Sequence, residues 1–344
     1  MSSSIPPGYG YLEHCNEAEG DLVIGGWFLL LDGPFDRCEV ILPDGSRSPA
    51  TSKQRPDLTE NLDFIPGAER GSFVCRVPLP ELGPDDTLEL TIVGVLEGQD
   101  VAKMDFGYHR PPKEQVFPPS DVMIRATGSD NHEFYRATGI KACNDFRRYL
   151  RGHIDLAAVR NLMEWGCGAG RLSRHLIDRF KGARFFGTDI DKEAVQWAAA
   201  NLKGEFIPCG LSPPLDYQDG QFDLVVSLSV FTHLTKRFQD LWLAEIRRVL
   251  EPGGVFLATT HGAFAGRWTF HQPGEFEEVF KTGFYDGLED TNLGKVAGGD
   301  YYRSTFQTYE YTREYWSKTF EILDYIEGGM NNLQDVYILR KPRG

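Results

Sequence analysis

Glu164-Trp165-Gly166-Cys167-Gly168-Ala169-Gly170-Arg171 sets an acidic residue and three alternate glycines between a short apolar run and an amphipathic one. Residues 159–163 can form a buried strand before it, and Leu172, Leu176 and Ile177 recur at helical spacing after it. The stretch therefore predicts a strand-to-helix turn. Glycine is required where the backbone adopts positive φ or lies against a ligand, and the amides opening the new helix face the same space. A dinucleotide-binding turn would read G-x-G-x-x-G, whereas these glycines fall as E-x-G-x-G-x-G, with Arg171 in the third glycine's slot. Such turns also serve tight packing with no ligand, so the meaning of this one depends on its companions.

The companions come in order. Arg184-Phe185-Phe186-Gly187-Thr188-Asp189 reads as a second strand ending in a carboxylate, the place from which an acid grips ribose hydroxyls. Asp189 could instead cap the helix expected over 192–202, but Asp191 is better placed for that. Residues 221–234 give a fourth strand and its loop. Arg247-Arg248-Val249-Leu250-Glu251-Pro252-Gly253-Gly254 then ends a helix and launches a fifth strand over 255–260.

This order of acidic-Gly turn, Gly-x-Asp, Phe-Asp-x-Val and Leu-x-Pro-Gly-Gly resembles class I S-adenosylmethionine-dependent methyltransferases over residues 125–344. The wording is similar to a bacterial group acting on sugars and small molecules. It shares Gly-Cys-Gly-x-Gly-Arg, a Trp197-Ala198 pair, Pro213-Pro214-Leu215 and Ser229-Val230-Phe231-Thr232-His233-Leu234. It departs in Glu164, where many relatives carry Asp, and in Gly210-Leu211, where many carry Gly-Asp. The resemblance implies a Rossmann-like seven-stranded sheet with one antiparallel strand, and S-adenosyl-L-methionine as cofactor. It implies cofactor contacts from Glu164, Gly166, Cys167, Gly168, Gly170, Arg171, Asp189, Gly210, Leu211, Leu228 and Ser229, with Ile190 against the adenine. Residues 131–135 and a helix over 140–151 are expected to cover the cofactor's other side, with Tyr135 reaching its carboxylate.

Composition bounds the rest. The chain has 344 residues, enough for two domains, and 41% of them are apolar. No apolar run has the length of a membrane span, and Met1-Ser2-Ser3-Ser4 lacks a signal-peptide pattern, so a soluble cytoplasmic protein is expected. Six cysteines without C-x-x-C spacing point to reduced, buried thiols and no metal. A net charge of −14 repels nucleic acid phosphates. Two segments could be mistaken for nucleobase-methyltransferase motifs, Ser212-Pro213-Pro214-Leu215 and Pro208-Cys209. Both precede the fourth strand instead of following it, and Leu215 could not stack on a flipped base. A small-molecule, sugar or glycan acceptor is the expected partner, and self-association is left open.

Arg110-Pro111-Pro112 through Pro118-Pro119-Ser120 is too proline-rich for a helix or a central strand, which predicts domains over 1–110 and 125–344 joined by a linker over 111–124. Upstream, short β runs at 22–24, 27–31, 39–42, 72–77 and 87–95 alternate with turn residues and predict a small all-β sandwich. Gly26-Trp27, Asp44-Gly45, Arg55-Pro56-Asp57 and Gly71-Ser72-Phe73 resemble a β domain attached to bacterial glycan-biosynthesis enzymes. That resemblance implies either a docking module or a domain that only helps the enzyme fold or dimerise. Arg55 and Asp57 around a proline can simply lock a loop.

Methyl transfer to an alcohol needs a base held near the acceptor. Ligands in open α/β sheets lie beyond the carboxyl ends of the strands, and two histidines fall there: His261, just after strand five, and His233, in the loop after strand four. His261 is the first candidate base and His233 the second; His233 could also serve to fix its loop. His271 ranks lower, and His175 reads as structural. Residues 263–311 form an aromatic-rich insertion expected to act as a lid. Trp268, Phe270, Tyr301, Tyr302, Phe306, Tyr309 and Tyr311 could stack on a sugar, with Asp300, Arg303 and Gln307 on its hydroxyls. The same aromatics could instead pack the insertion onto the sheet. Trp268, His271, Tyr301, Tyr302 and Arg303 are the candidate acceptor contacts. Thr312 is expected to cap a following helix, and strands over 321–327 and 335–340 to close the sheet, with Gln334 and Asp335 supporting the lid or a turn. The reading is an O-methyltransferase for a sugar or glycan hydroxyl. Its alternatives are N- or C-methylation of another metabolite, or a degenerate binding subunit.

Overall fold

The computed structural model describes residues 5–112, 115–270, 272, 274–290, 296–298 and 301–343. The chain divides into two compact units that interleave in sequence: Met1–Glu114 with Asn131–Asp145 and Asn331–Leu333, and the remainder. Residues 131–145 thus cluster with the first unit although they follow the proline-rich stretch.

The first unit is built from β1 (Tyr9–Ala18), β2 (Asp21–Leu29), β3 (Arg37–Ile41), β4 (Arg47–Pro49), α1 (Pro56–Asn61), β5 (Ser72–Pro78), β6 (Leu88–Leu96) and β7 (Gln99–Tyr108). They form two antiparallel sheets, ordered β1-β2-β5 and β4-β3-β6-β7. Leu22, Ile24 and Phe28 from one sheet and Val40, Ile92, Met104 and Phe106 from the other enter a single apolar cluster. The runs at 22–24 and 27–31 are one strand, broken in the sequence by Gly25-Gly26. A Cβ on Gly26 would lie 1.9 Å from the Tyr11 carbonyl oxygen, so glycine is what lets β1 pair there. Arg55 bonds Asp57 at 2.6 Å and Glu13 at 2.8 Å, which locks α1 onto β1 and accounts for the Arg-Pro-Asp segment without a ligand.

The chain continues through α2 (Ser120–Thr127) and α3 (His132–Leu150). The second unit then alternates β8 (Asn161–Trp165), α4 (Ser173–Arg179), β9 (Arg184–Asp189), α5 (Lys192–Asn201), β10 (Glu205–Pro208), β11 (Phe222–Ser227), α6 (Lys236–Val249) and β12 (Leu250–Thr260). The insertion supplies α7 (Ala263–Thr269), α8 (Glu275–Val279), β13 (Phe284–Glu289) and β14 (Arg303–Gln307). Then come α9 (Tyr309–Trp316), β15 (Glu321–Met330) and β16 (Gln334–Arg340).

Seven strands form one sheet in the order β10-β9-β8-β11-β12-β16-β15, with only β16 running against its neighbours. Leu162, Met163, Leu224, Val225, Val226, Phe256 and Leu257 are fully buried, as expected of parallel strands covered on both faces. The strand order reverses between β8 and β11, and crevices for ligands open at the carboxyl ends of such strands. Trp165, Phe231, Trp242, Phe256, Trp316 and Tyr337 fill the core on which these ends rest.

One expectation is corrected. Thr308, not Thr312, caps α9: its side chain accepts from the Tyr311 amide, while Thr312 lies inside the helix and its hydroxyl donates to the Thr308 carbonyl at 2.9 Å. No helix among the described residues is long and apolar enough to cross a membrane. Trp242 is fully buried in this core, so Trp242→Ala should destabilise the second unit by about 3–5 kcal/mol in chemical denaturation.

Candidate active site

The turn after β8 is held by the neighbouring strand. The amides of Gly166 and Cys167 both donate to the Thr188 carbonyl, at 2.8 and 3.1 Å, and the Gly168 amide donates to Asp189 Oδ2 at 2.8 Å. Gly166, Gly168 and Gly170 all have positive φ, but for different purposes. A Cβ on Gly166 would strike Val230 and one on Gly170 would strike Leu202, each at 2.2 Å, whereas one on Gly168 would meet nothing within 4 Å. Gly168 therefore borders open space, where a ligand can approach the backbone.

Asp189 ends β9 partly exposed, and its Oδ1 accepts from the Asp191 amide at 2.8 Å. Capping of α5 falls to Asp191, whose side chain accepts from the Ala194 amide. Asp189 is thus released for another partner, and burial raises its carboxyl above the usual range. Glu164 is buried beneath the turn and accepts from the Ser173 hydroxyl. Burial pushes its pKa up to about 8, with Ser173 and Arg171 opposing the shift. Cys167 turns inward; its Sγ lies 3.1 Å from where a Cβ on Gly187 would be, so this residue lends the turn its backbone and not its thiol.

The loop after β11 is fixed from several sides. Ser229 has φ of 63°, strained for a residue with a Cβ, and is held there by the Thr259 hydroxyl (2.8 Å), Thr232 Oγ1 (3.0 Å) and Gln334 Nε2 (2.9 Å). Gln239 Nε2 donates to the Phe231 and Leu234 carbonyls. The insertion then ties this loop to the end of β12. Along β14, Arg303 N donates to the His233 carbonyl, Thr305 N to Thr232 and Gln307 N to His261, at 3.0, 2.8 and 2.9 Å.

This strand brings both candidate histidines together, with ring centroids 6.3 Å apart. His233 stacks on Tyr302 at 4.3 Å, and its Nδ1 lies 3.3 Å from Asp290 Oδ2, close to the carboxylate but without hydrogen-bond alignment. Ser304 Oγ reaches the same carboxylate oxygen at 3.2 Å. His261 stacks on Phe306, and burial, assisted by His233, drives its pKa down to about 3. It therefore stays uncharged at neutral pH and has little affinity for a proton. Asp290 and Ser304 were not singled out from the sequence.

Other expected site residues take different places. Tyr301 is a core residue, edge-on to Phe238 at 4.6 Å, and Arg303 donates to the Asp286 and Gly287 carbonyls to brace the β13–β14 hairpin. Trp268 is part-buried in α7, Leu228 is buried, and Ile190 packs on the core beside Asp189. Gly210 and Leu211 are exposed just after β10. Arg171 is part-buried at the end of the turn, and His175 is buried within α4. Tyr135 is fully buried in α3 and belongs to the first unit. His271 and Asp300 lie outside the described residues. No cluster of three or more His, Cys, Asp or Glu suited to a metal ion occurs among the described residues.

Glu164 yields a prediction of defined sign. Its folded pKa of about 8 lies above the ordinary 4.5, so folding takes up a proton between those values and stability falls as pH rises through that window. Glu164→Gln should flatten this dependence: denaturant midpoints at pH 5 and pH 8 should differ less in the variant than in the wild type.

A family model described as a methyltransferase domain matches residues 163–258. Over 168 residues the chain is 30% identical to a fatty-acid O-methyltransferase of Mycolicibacterium smegmatis, covering 48% of this chain and 54% of that protein. Over 158 residues it is 34% identical to a probable S-adenosylmethionine-dependent methyltransferase of the same organism, covering 44% and 58%. The chain thus spans little more than half the length of these curated relatives. A solved S-adenosylmethionine-dependent methyltransferase of Methanosarcina mazei aligns with a TM-score of 0.42 at 19% identity, over 57% of this chain and 98% of that one. Residues 163–258 accordingly match a methyltransferase domain carried on the doubly wound part of the seven-stranded sheet, and S-adenosylmethionine is the cofactor to which this match points.

Proposed function

We propose that the chain is an O-methyltransferase acting on a hydroxyl of a sugar or glycan precursor, with His233 as general base. The observation that carries this reading is the approach of Asp290 to His233 at 3.3 Å. With its proton on Nδ1 toward the carboxylate, the imidazole offers Nε2 to an acceptor O–H. His261, the first candidate from sequence, becomes a neutral wall beside it because its buried ring holds a proton so poorly. Tyr302 packs on the face of His233 and keeps the ring from swinging.

The open space beside Gly168 and the partly exposed Asp189 carboxylate suit the cofactor's backbone-lined and ribose-binding needs. When bound, the cofactor would supply an activated methyl on a sulfonium, and His233 would take up the proton that the acceptor hydroxyl gives up. Asp290 is an acid and His261 is uncharged, so a carboxylate acceptor would meet repulsion with no compensating charge from either, whereas a neutral hydroxyl would not. A lipid acceptor is the second reading. It is favoured by the relative named for a fatty acid and by the apolar ring cluster of Phe270, Phe276, Phe280 and Phe306 in the insertion.

Mass spectrometry after incubation with cofactor and either hydroxylated sugars or long-chain fatty acids separates the two. A one-methyl gain on the sugar alone supports the proposal, and a gain on the fatty acid alone overturns it. His233→Asn should lower methyl transfer by about 10²–10⁴-fold with cofactor affinity intact; full retained activity would point to an amine or carbon acceptor. Asp189→Ala should weaken cofactor binding by about 1.5–3 kcal/mol in calorimetry. Gly168→Val should weaken it further, because a branched side chain would enter the open space.

A further inference from the structure

The geometry points to Asp290 as a positioning residue, supplied by the insertion, that fixes the tautomer and ring orientation of His233. This rests on the reading of His233 as the base, but it concerns a different residue and a different readout. Three independent features converge on it. The Asp290 side chain is only 8% exposed, its oxygen lies 3.3 Å from His233 Nδ1, and Ser304 Oγ holds the same oxygen at 3.2 Å. Ser304 belongs to β14, whose neighbours Arg303 and Thr305 bond the backbone of the His233 loop, so the carboxylate and the imidazole are placed by the same strand. Among the described residues, the other titratable groups against His233 are His261 and Tyr302. Burial keeps the first uncharged and raises the phenol of the second, so neither replaces Asp290 as a negative partner.

A carboxylate beside one ring nitrogen favours the tautomer with its proton there and leaves the other nitrogen as the acceptor. The insertion therefore does more than cover the acceptor: it completes the base, and His233 on its own loop is only half of it.

The test is nitrogen NMR of the imidazoles in the full-length protein, with S-adenosylhomocysteine affinity measured in parallel. Wild type should show His233 as a single tautomer protonated on Nδ1. Asp290→Ala should lose that single tautomer, and Asp290→Glu should restore it in part. Affinity for S-adenosylhomocysteine should be unchanged in both. Nδ1 protonation that persists in Asp290→Ala, or a wild-type proton on Nε2, would overturn the inference. An Asp290→Ala protein that has lost its affinity for S-adenosylhomocysteine would mark a structural role and overturn it as well. None of these readouts needs an acceptor, so a correct tautomer result combined with an active His233→Asn enzyme would sink the base assignment alone.

Discussion

Three backbone hydrogen bonds from β14 hold the two histidine-bearing segments together. They run to the carbonyls of His233, Thr232 and His261, and they join an insertion to two loops that leave the sheet at different strands. Without them the histidines would sit on separate loops, each free to turn. With them, His233, His261, Tyr302 and Asp290 share one enclosure in which ring orientation and charge are set by packing. The same enclosure explains why two histidines so alike in sequence position differ in chemistry. His261 stacks on Phe306 and stays uncharged near neutral pH, while His233 lies beside a carboxylate.

The cofactor side depends on a different device, a carboxylate that organises a turn. Asp189 accepts one amide from the glycine turn and one from the start of the α5 region, so the ends of β8 and β9 are fastened next to the β8–β11 reversal of strand order. Of the three glycines, two are needed for close packing and one borders open space. A buried Glu164 lies below, and its raised pKa shows the cost of keeping a carboxyl away from water in this layer. A cofactor bearing positive charge would lower that cost.

The parts legible in the sequence are those whose signal is local. The glycine turn, Asp189 at a strand end and Asp191 as the α5 cap each depend on residues a few positions apart, and each is found where the spacing places it. β7 was missed although Ala102, Met104, Phe106 and Tyr108 alternate inward; its charged residues hid a regular pattern. Gly25-Gly26 divides β2 in the sequence pattern, although the close approach of β1 is what requires glycine there. Asp290 was invisible for a different reason. Its partner His233 is distant in the chain, and only the pairing of β13 with β14 brings the two together. Tyr301 and Arg303 have the composition of a binding surface but serve the core and the hairpin, because aromatic and Arg content does not say which way a side chain faces.

On the proposed reading, a cofactor bound on the glycine turn faces an acceptor held by His233. A crystal structure of the full chain with S-adenosylhomocysteine measures this most directly. The account predicts the ribose hydroxyls on the Asp189 carboxylate, the ligand backbone against Gly168, and the sulfur facing His233 with space between them for a single acceptor oxygen. A ligand whose sulfur faces away from His233, or is walled off from it by β14, would contradict the account.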